Sequence, residues 1–550
     1  MKQSENHYHQ LCNQFYSSLI SEISNVQTFK GKWSLIKSKL QQLPALLSDL
    51  SDFPTLSSNP LSTDLLKALS QTLSDALSVA LLCQCPNPPV GKLQTQSNLD
   101  SITTRFDQHI RDADVLIKSG VLRETHLGPG PRREAVRIEA RNLITRLQIG
   151  NSESKNSAMD SLLSLLHEDD KNVLIAVAQG AVPVIVKLLD SSCVEIKEKA
   201  VSAIARASVL ESSKHVLVAE GILLLNHLLR VIESGTGPAK EKACVALQAL
   251  SFSKENARAI GCRGGISSLL EICLAGTPGS QAVAAGVLRN LAGFPDIVPN
   301  FVEENAIPVL IGVAASGTQV AQENAIGCLS NLVSGEDESL KMMVVREGCI
   351  ECLKNFWDGA SWTRNHEVAA ALFRNLASCK SIAERLIIAG FIPRLVGVLN
   401  CGVSTVRTTA ARAVYEMAFT MKTRKEMGEA GCIAPLVRMF EAKAVEEKEA
   451  AAKAVSLLLS YIGNRKIFRK EERGIETVVQ LLDPSIQNLD KKHVIAILLT
   501  VSQCKKCKKR MVASGACRYL EKLAEMETEG AKRLLENLGR GKLWGVFTRT

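Results

Sequence analysis

Gly390 to Leu399 reads GFIPRLVGVL, and near-copies of this decapeptide recur along the chain. Gly180 opens GAVPVIVKLL, Gly221 GILLLNHLLR, Gly265 GISSLLEICL, Asn305 NAIPVLIGVA and Gly348 GCIECLKNFW. Further on, Gly431 opens GCIAPLVRMF, Gly474 GIETVVQLLD and Gly515 GACRYLEKLA. Successive landmarks lie 41, 44, 40, 43, 42, 41, 43 and 41 residues apart. A period of that length predicts an array of helical repeats. Before each landmark runs a short apolar helix, as at Ala257–Ile260 or Met342–Val345. The landmark Gly ends it, because Gly reaches backbone angles closed to other residues. Pro183, Pro308, Pro393 and Pro435 fall in the opening turn of the next helix, where no backbone donor is needed. Ile392, Leu395, Val396 and Leu399 then recur at helical spacing. A third helix rich in Ala follows, as in KEKAVSAIARAS from Lys197, QAVAAGVLRNLA from Gln281 and QENAIGCLSNLV from Gln322. Such a unit cannot bury its apolar faces alone, so the units must stack.

Short helix, Gly break, Gly-apolar-apolar-Pro helix and Ala-rich helix ending in Arg/Ser-Asn-Leu together resemble the armadillo repeat. The resemblance runs from about Glu134 to about Arg540. HEAT repeats share the period but lack the regular Gly break. The fold implied is all-α: a right-handed armadillo-repeat superhelix (α-solenoid) preceded by an N-terminal helical bundle. Composition agrees, with 46% hydrophobic but only 4% aromatic residues, which suits helices packed by aliphatic side chains better than strands.

The first 120 residues do not follow the repeat. They read as four amphipathic helices near Tyr8–Val26, Lys32–Leu50, Thr63–Cys83 and Leu93–Lys118, punctuated by Pro54, Pro60, Pro86, Pro88 and Pro89. Leu65, Leu66, Leu69, Leu73, Ala76, Leu77 and Ala80 form the clearest apolar side. An up-and-down bundle is the economical arrangement. With its QSNLDSITTRFDQHIRDADVLIKSGVL run from Gln96 to Leu122, this segment resembles the helical domain ahead of the repeats in many plant U-box armadillo proteins. In that family a ubiquitin-ligase U-box separates bundle from repeats. Here only THLGPGPRR, Thr125–Arg133, intervenes before the helical pattern resumes at Ala135, so the resemblance does not carry ligase activity. The expected organisation is a bundle at 1–122, a Gly/Pro linker at 123–134, armadillo repeats at 135–540 and a tail at 541–550. In the tail, Trp544 and Phe547 are candidates to cap the open end of the array.

Net charge is +10, all of it outside residues 1–120, where ten Lys/Arg balance ten Asp/Glu. That excess permits acidic partners without specifying one. Sixteen cysteines, many at apolar repeat positions such as Cys244, Cys328, Cys349 and Cys432, act as small hydrophobes. No signal peptide, myristoylation start or uninterrupted run of transmembrane length is read. The expected location is the cytoplasm, the nucleus or both.

The resemblance also implies where a ligand would lie. In armadillo proteins an Asn near the end of the third helix holds the backbone of an extended peptide, since one amide offers both donor and acceptor. Asn290, Asn331 and Asn375 stand there in three successive repeats, and Asn537 again later; Arg206, Ala249, Glu416, Leu457 and Thr500 occupy the position elsewhere. The same amides also suit helix capping or repeat packing. Nuclear-import adaptors add a Trp four residues earlier, where this chain has Gly286, Gly327 and Ala371. Arg289 and Arg374 beside two of the Asn residues favour acidic or polar ligands. A second candidate, for anions, is Lys505, Lys506, Lys508, Lys509 and Arg510, read as a basic inter-helix loop around Cys504 and Cys507. The two cysteines lack the second pair of ligands that a structural zinc site needs. His366-Glu367 has no second His for a zinc protease motif, and Gly235-Thr236-Gly237 with Lys240 lacks the order of a phosphate loop.

The expected function is therefore a non-catalytic scaffold or adaptor, with no cofactor, metal or small-molecule substrate. It would bind an extended segment or helix of a partner protein in its groove. Plant relatives of this type imply receptor-like kinases, exocyst subunits or ubiquitin-pathway components as partners. The alternative is a regulatory subunit docking on anionic membrane or nucleic acid through basic patches.

Overall fold

A computed structural model describes residues 7–56, 58–86, 90–122, 132–359 and 364–539. Among them every regular element is helical. Two compact units result, Met1–Leu250 and Ser251–Thr550. The tail residues Trp544 and Phe547 and most of the Gly/Pro linker lie outside the described residues.

The first unit opens with α1 (His7–Ile23), α2 (Lys30–Leu40), α3 (Leu43–Ser51), α4 (Pro60–Leu82) and α5 (Lys92–Ser119). Five helices stand where four were expected. The second breaks at Gln41-Gln42 because Pro44, in the first turn of α3, cannot donate into a continuing helix. Cys12, Trp33, Leu40, Leu73, Phe106 and Leu116 form the core of the bundle. Its rim is tied by ion pairs from Lys32 to Asp100, Lys39 to Asp107 and Arg105 to Asp75. By length and mean hydropathy α4 could cross a membrane, yet half of its apolar window is buried, where it packs against α1 and α5. At its polar positions it is used as a bundle helix is used: Thr72 is hydrogen-bonded to His109 of α5 at 2.9 Å.

α5 packs on α6 (Arg132–Ile149), which begins twelve residues after α5 ends and pairs with α7 (Ser152–Glu168). Two helix triplets complete the unit: α8 (Asp170–Ala178), α9 (Ala181–Leu188) and α10 (Val194–Ser208), then α11 (Glu211–Ala219), α12 (Gly221–Ser234) and α13 (Gly237–Leu250).

The second unit holds seven more triplets among its described residues. They are α14 (Lys254–Gly261), α15 (Gly265–Ala275) and α16 (Pro278–Leu291); α17 (Val298–Glu303), α18 (Ala306–Ser316) and α19 (Gln319–Leu332); and α20 (Glu338–Arg346), α21 (Cys349–Gly359) and α22 (Arg364–Ala377). Next come α23 (Lys380–Ile388), α24 (Phe391–Leu399) and α25 (Ser404–Met417), and α26 (Met421–Glu429), α27 (Ile433–Arg438) and α28 (Val445–Leu458). The last are α29 (Ile462–Phe468), α30 (Gly474–Gln480) and α31 (Lys491–Val501), and α32 (Lys505–Ala513), α33 (Ala516–Glu525) and α34 (Ala531–Gly539).

Each landmark lies at the corner between a first and a second helix, but the left-handed angle falls on Gly264 in place of Gly265 and is absent at Gly474, the first residue of α30. Gly390 has φ +82° and Asn305 φ +51°, left-handed angles that only Gly, or an Asn, holds at low cost. The chain turns by 87° from α8 to α9, 100° from α11 to α12 and 90° from α17 to α18. This corner lets the Ala-rich third helices lie side by side: α16 on α19, α19 on α22, α22 on α25, and α25 on α28. Ala410, Ala411, Ala413, Ala450, Ala451 and Ala454 are buried where two of them meet. Behind them Trp357, Phe373 and Phe391 stack with centroids 5.0 to 5.9 Å apart, each such pair adding about 0.5–1.5 kcal/mol beyond area burial.

Candidate functional site

The third helices α16, α19 and α22 bring Asn290, Asn331 and Asn375 to equivalent places. Their amide groups are already used within the second unit. Asn290 Nδ2 donates to Ser251 Oγ at 2.9 Å. Asn331 Nδ2 donates to the Arg289 carbonyl at 2.8 Å, and Asn375 Nδ2 to the Ser330 carbonyl at 2.9 Å. In two of three repeats the Asn donor thus satisfies the backbone of the preceding third helix. Oδ1 of Asn375 accepts from the Arg374 guanidinium at 2.9 Å. Arg289 lies across Gly327: a Cβ there would come within 2.5 Å of its Nε. Where an import adaptor would carry a Trp, the space is filled by an arginine from the neighbouring repeat, held near Asn324 and Glu323.

Further along the same row, α22, α25 and α28 line a cleft of ≈ 260 Å³ with Arg374, Arg412, Tyr415, Glu416, Glu446, Glu449 and Lys453. Positive and negative groups alternate on it. Lys453 pairs with Glu449 at 2.7 Å, whereas Arg412, Tyr415, Glu416 and Glu446 are exposed and none of their side chains hydrogen-bonds another described residue. An ion pair also joins α25 to α28. Glu447, 1% exposed, accepts from Arg407 at 2.6 and 3.1 Å and also from Ser404. Periodicity marks these positions as the non-core face of each third helix, but only the stacking shows that three helices pool them.

The basic cluster is not a loop. Cys504 takes the N-cap position with φ −92° and ψ 122°, so Lys505 to Arg510 form the first turns of α32. Arg510 is drawn off by Glu476, with two contacts at 2.7 Å, and its guanidinium is held above its usual range by that partner. Lys508 donates to the Asn537 carbonyl at 2.8 Å. Lys505, Lys506 and Lys509 remain exposed.

Sequence reading missed a set of polar pins that join repeats. Asn172 Nδ2 reaches back to the Leu165 carbonyl at 3.1 Å, Ser213 Oγ to Ala207 at 2.6 Å and Asn464 Nδ2 to Leu458 at 2.9 Å. Arg424 and Arg465 do the same with Nε, to the Ala418 and Leu459 carbonyls at 2.7 and 2.9 Å. Each closes the frayed end of a third helix from the first helix that follows. The available signal was a polar residue six or seven positions beyond the last apolar residues of each Ala-rich helix.

In sequence, residues 169–209 match the armadillo/beta-catenin-like repeat family, and residues 9–121 match a domain of unknown function, DUF7032. The chain is 27% identical over 231 residues to U-box domain-containing protein 8 of Arabidopsis thaliana, covering 41% of this chain and 61% of that one. It is 27% identical over 211 residues to U-box domain-containing protein 16 of the same plant, covering 37% and 30%. Against U-box domain-containing protein 24 of Oryza sativa subsp. japonica it is 26% identical over 236 residues, 42% and 28% of the two chains. The chain thus spans less than two thirds of the length of these relatives. Among solved structures, the crystal structure of an engineered protein superimposes with TM-score 0.64 at 25% identity, over 73% of this chain and 99% of that one. Taken with the Gly-cornered helix triplets and their stacked third helices, these matches show an armadillo-type repeat at residues 169–209 and an all-helical array similar to that of the plant U-box proteins.

Proposed function

We propose that this protein is a non-catalytic interaction scaffold that holds an extended segment of a partner protein along its third helices. The cleft on α22, α25 and α28 supports this reading, because Arg412, Tyr415, Glu416 and Glu446 offer exposed polar and aromatic groups that hydrogen-bond no other side chain among the described residues. Alternating charge there suits a peptide carrying both signs, and Tyr415 gives it an apolar surface. Arg374 and Asn375 extend the row toward Asn331, Asn290 and Arg289. Resemblance to plant U-box proteins points to partners in ubiquitin-linked or receptor-kinase signalling or in the exocyst, met in the cytoplasm or nucleus.

The test is affinity capture from plant extract with wild type and with Arg412→Glu/Tyr415→Ala/Glu446→Lys. These side chains are exposed, so the variant should keep its circular dichroism and melting temperature. Loss of defined partners supports the groove, and an unchanged partner set refutes it. Asn331→Ala and Asn375→Ala are poorer probes, since both also break a bond between repeats.

A second reading rests on Lys505, Lys506 and Lys509 at the start of α32, whose charges no carboxylate neutralises among the described residues. They would favour an anionic surface. Binding of that kind weakens steeply with salt, whereas capture in the cleft responds less.

A further inference from the structure

α32 opens with Cys504-Lys505-Lys506-Cys507. Cys504 sits at the N-cap and Cys507 is the third residue of the helix, so the two share one side of the first turn. From the rise and radius of a helix, residues three apart have Cα atoms about 5 Å from each other, inside the Cα span of about 4.4–6.8 Å that a disulfide bridges.

The environments of the two thiols differ. Cys504 is partly exposed, while Cys507 is buried at 3% exposure. The Cys504 thiol makes no closed capping hydrogen bond, yet the Cys507 backbone amide lies close enough to favour its thiolate. The Cys507 thiol, the Lys506 amide and Arg469, just past the end of α29, act in the same direction, and its pKa is lowered to about 7. Burial pushes Cys507 up to about 11. One group is thus a partly exposed thiol whose surroundings favour the thiolate, and the other a buried thiol whose surroundings favour the protonated form. The chain contains a control in Cys349-Ile350-Glu351-Cys352. There both cysteines are buried in α21, and burial raises both, Cys352 to about 11 and Cys349 further. Neither spacing nor a helix start alone makes the site, since Cys349 also opens a helix; the partial exposure of Cys504 and the nearby Arg469 do. Nor is the pair half of a zinc site, since no cluster of three or more His, Cys, Asp and Glu side chains occurs among the described residues.

We propose that Cys504 and Cys507 form a reversible dithiol–disulfide site that exchanges with a small anionic disulfide of the glutathione type. The Cys504 thiolate attacks one sulfur of the glutathione disulfide, whose S–S bond breaks, and the first glutathione leaves as a thiolate. Cys507 attacks the Cys504 sulfur, forming the protein disulfide and expelling the second glutathione as a thiolate, and the Cys507 proton passes to a departing glutathione thiolate. Two protein thiols lose two electrons and two protons, and one small disulfide becomes two thiols. The exposed Lys505, Lys506 and Lys509 would gather the anionic reagent.

The experiment treats the full purified chain with glutathione disulfide, alkylates the remaining thiols and maps the peptides by mass spectrometry. A Cys504–Cys507 disulfide is expected to accumulate and to revert with excess reduced glutathione, while Cys349 and Cys352 stay alkylatable on unfolding. In Cys507→Ser, a glutathione adduct should persist on Cys504; in Cys504→Ser, Cys507 should stay reduced. Before oxidation, Cys504 should react with iodoacetamide at pH 7 about tenfold faster than the exposed Cys262. Equal rates at Cys504 and Cys262, or adducts on Cys504 that never resolve to the disulfide in the wild type, would overturn the proposal.

Discussion

Asn464 shows how much one side chain carries in a stacked array. It is 1% exposed, and its amide donates to both the Arg424 and Leu458 carbonyls, at 2.7 and 2.9 Å. Its Oδ1 fills the space over Gly428, where an added Cβ would lie 1.8 Å away. Asn464→Ala should cost about 1–3 kcal/mol, the loss of two hydrogen bonds at about 0.5–1.5 kcal/mol each. Gly428→Ala should cost a comparable amount by pushing the amide out. Because both act on the same bonds, the double variant should lose clearly less than the sum in urea unfolding. Strict additivity would show that the contact is not shared. His109 gives a pH dependence. Burial first, and then Arg105, lowers its pKa from 6.5 to about 4, so the native state refuses a proton that the unfolded chain accepts. Stability therefore falls as pH drops from about 6.5 toward 4, by at most about 3 kcal/mol. Asp112, which lines one cleft with His109, Arg105 and Asp64 and is raised by burial, works in the opposite sense. The informative measurement is the difference between wild type and His109→Gln, and melting curves with parallel pH slopes would refute the assignment.

The element that repeats is the corner. Gly390→Ala forces a Cβ into a left-handed angle with otherwise open space beside it, the nearest atom being Arg394 Nη1 at 3.5 Å. The cost should be about 1–2 kcal/mol. Asn305→Gly, at a corner of the same hand, should change denaturation midpoints only slightly. Similar losses at both would mean that something other than backbone angle is at stake. Corners of this kind were legible because Gly and Pro act locally, and Ala-rich third helices were legible because their small residues recur at helical spacing. What distance in sequence hides is partnership. Nothing local distinguishes Lys505, which stays exposed, from Arg510, which Glu476 holds from 34 residues away. A window on the sequence likewise shows three well-spaced Asn residues but not that two of them feed the preceding helix. Pro44 had the opposite fate: its stop signal was present, yet the amphipathic pattern running through it suggested one helix in place of α2 and α3.

At the scale of the molecule, contacts run mainly between adjacent repeats, so stability is a sum of local terms and not one indivisible transition. Thermal or urea unfolding followed by circular dichroism and by Trp fluorescence should therefore give non-coincident curves. Trp33 reports on the bundle and Trp357 on the aromatic cluster behind α22, each buried in its own unit. Superimposable curves from all probes would instead indicate a single cooperative block. The polar pins give the array a direction. In each of them, a carbonyl near the end of one helix gains a side-chain donor six or seven residues later in the chain. At those junctions a chain leaving the ribosome completes the bond only when the first turn of the following helix emerges, and synthesis itself becomes the clock by which they close in order.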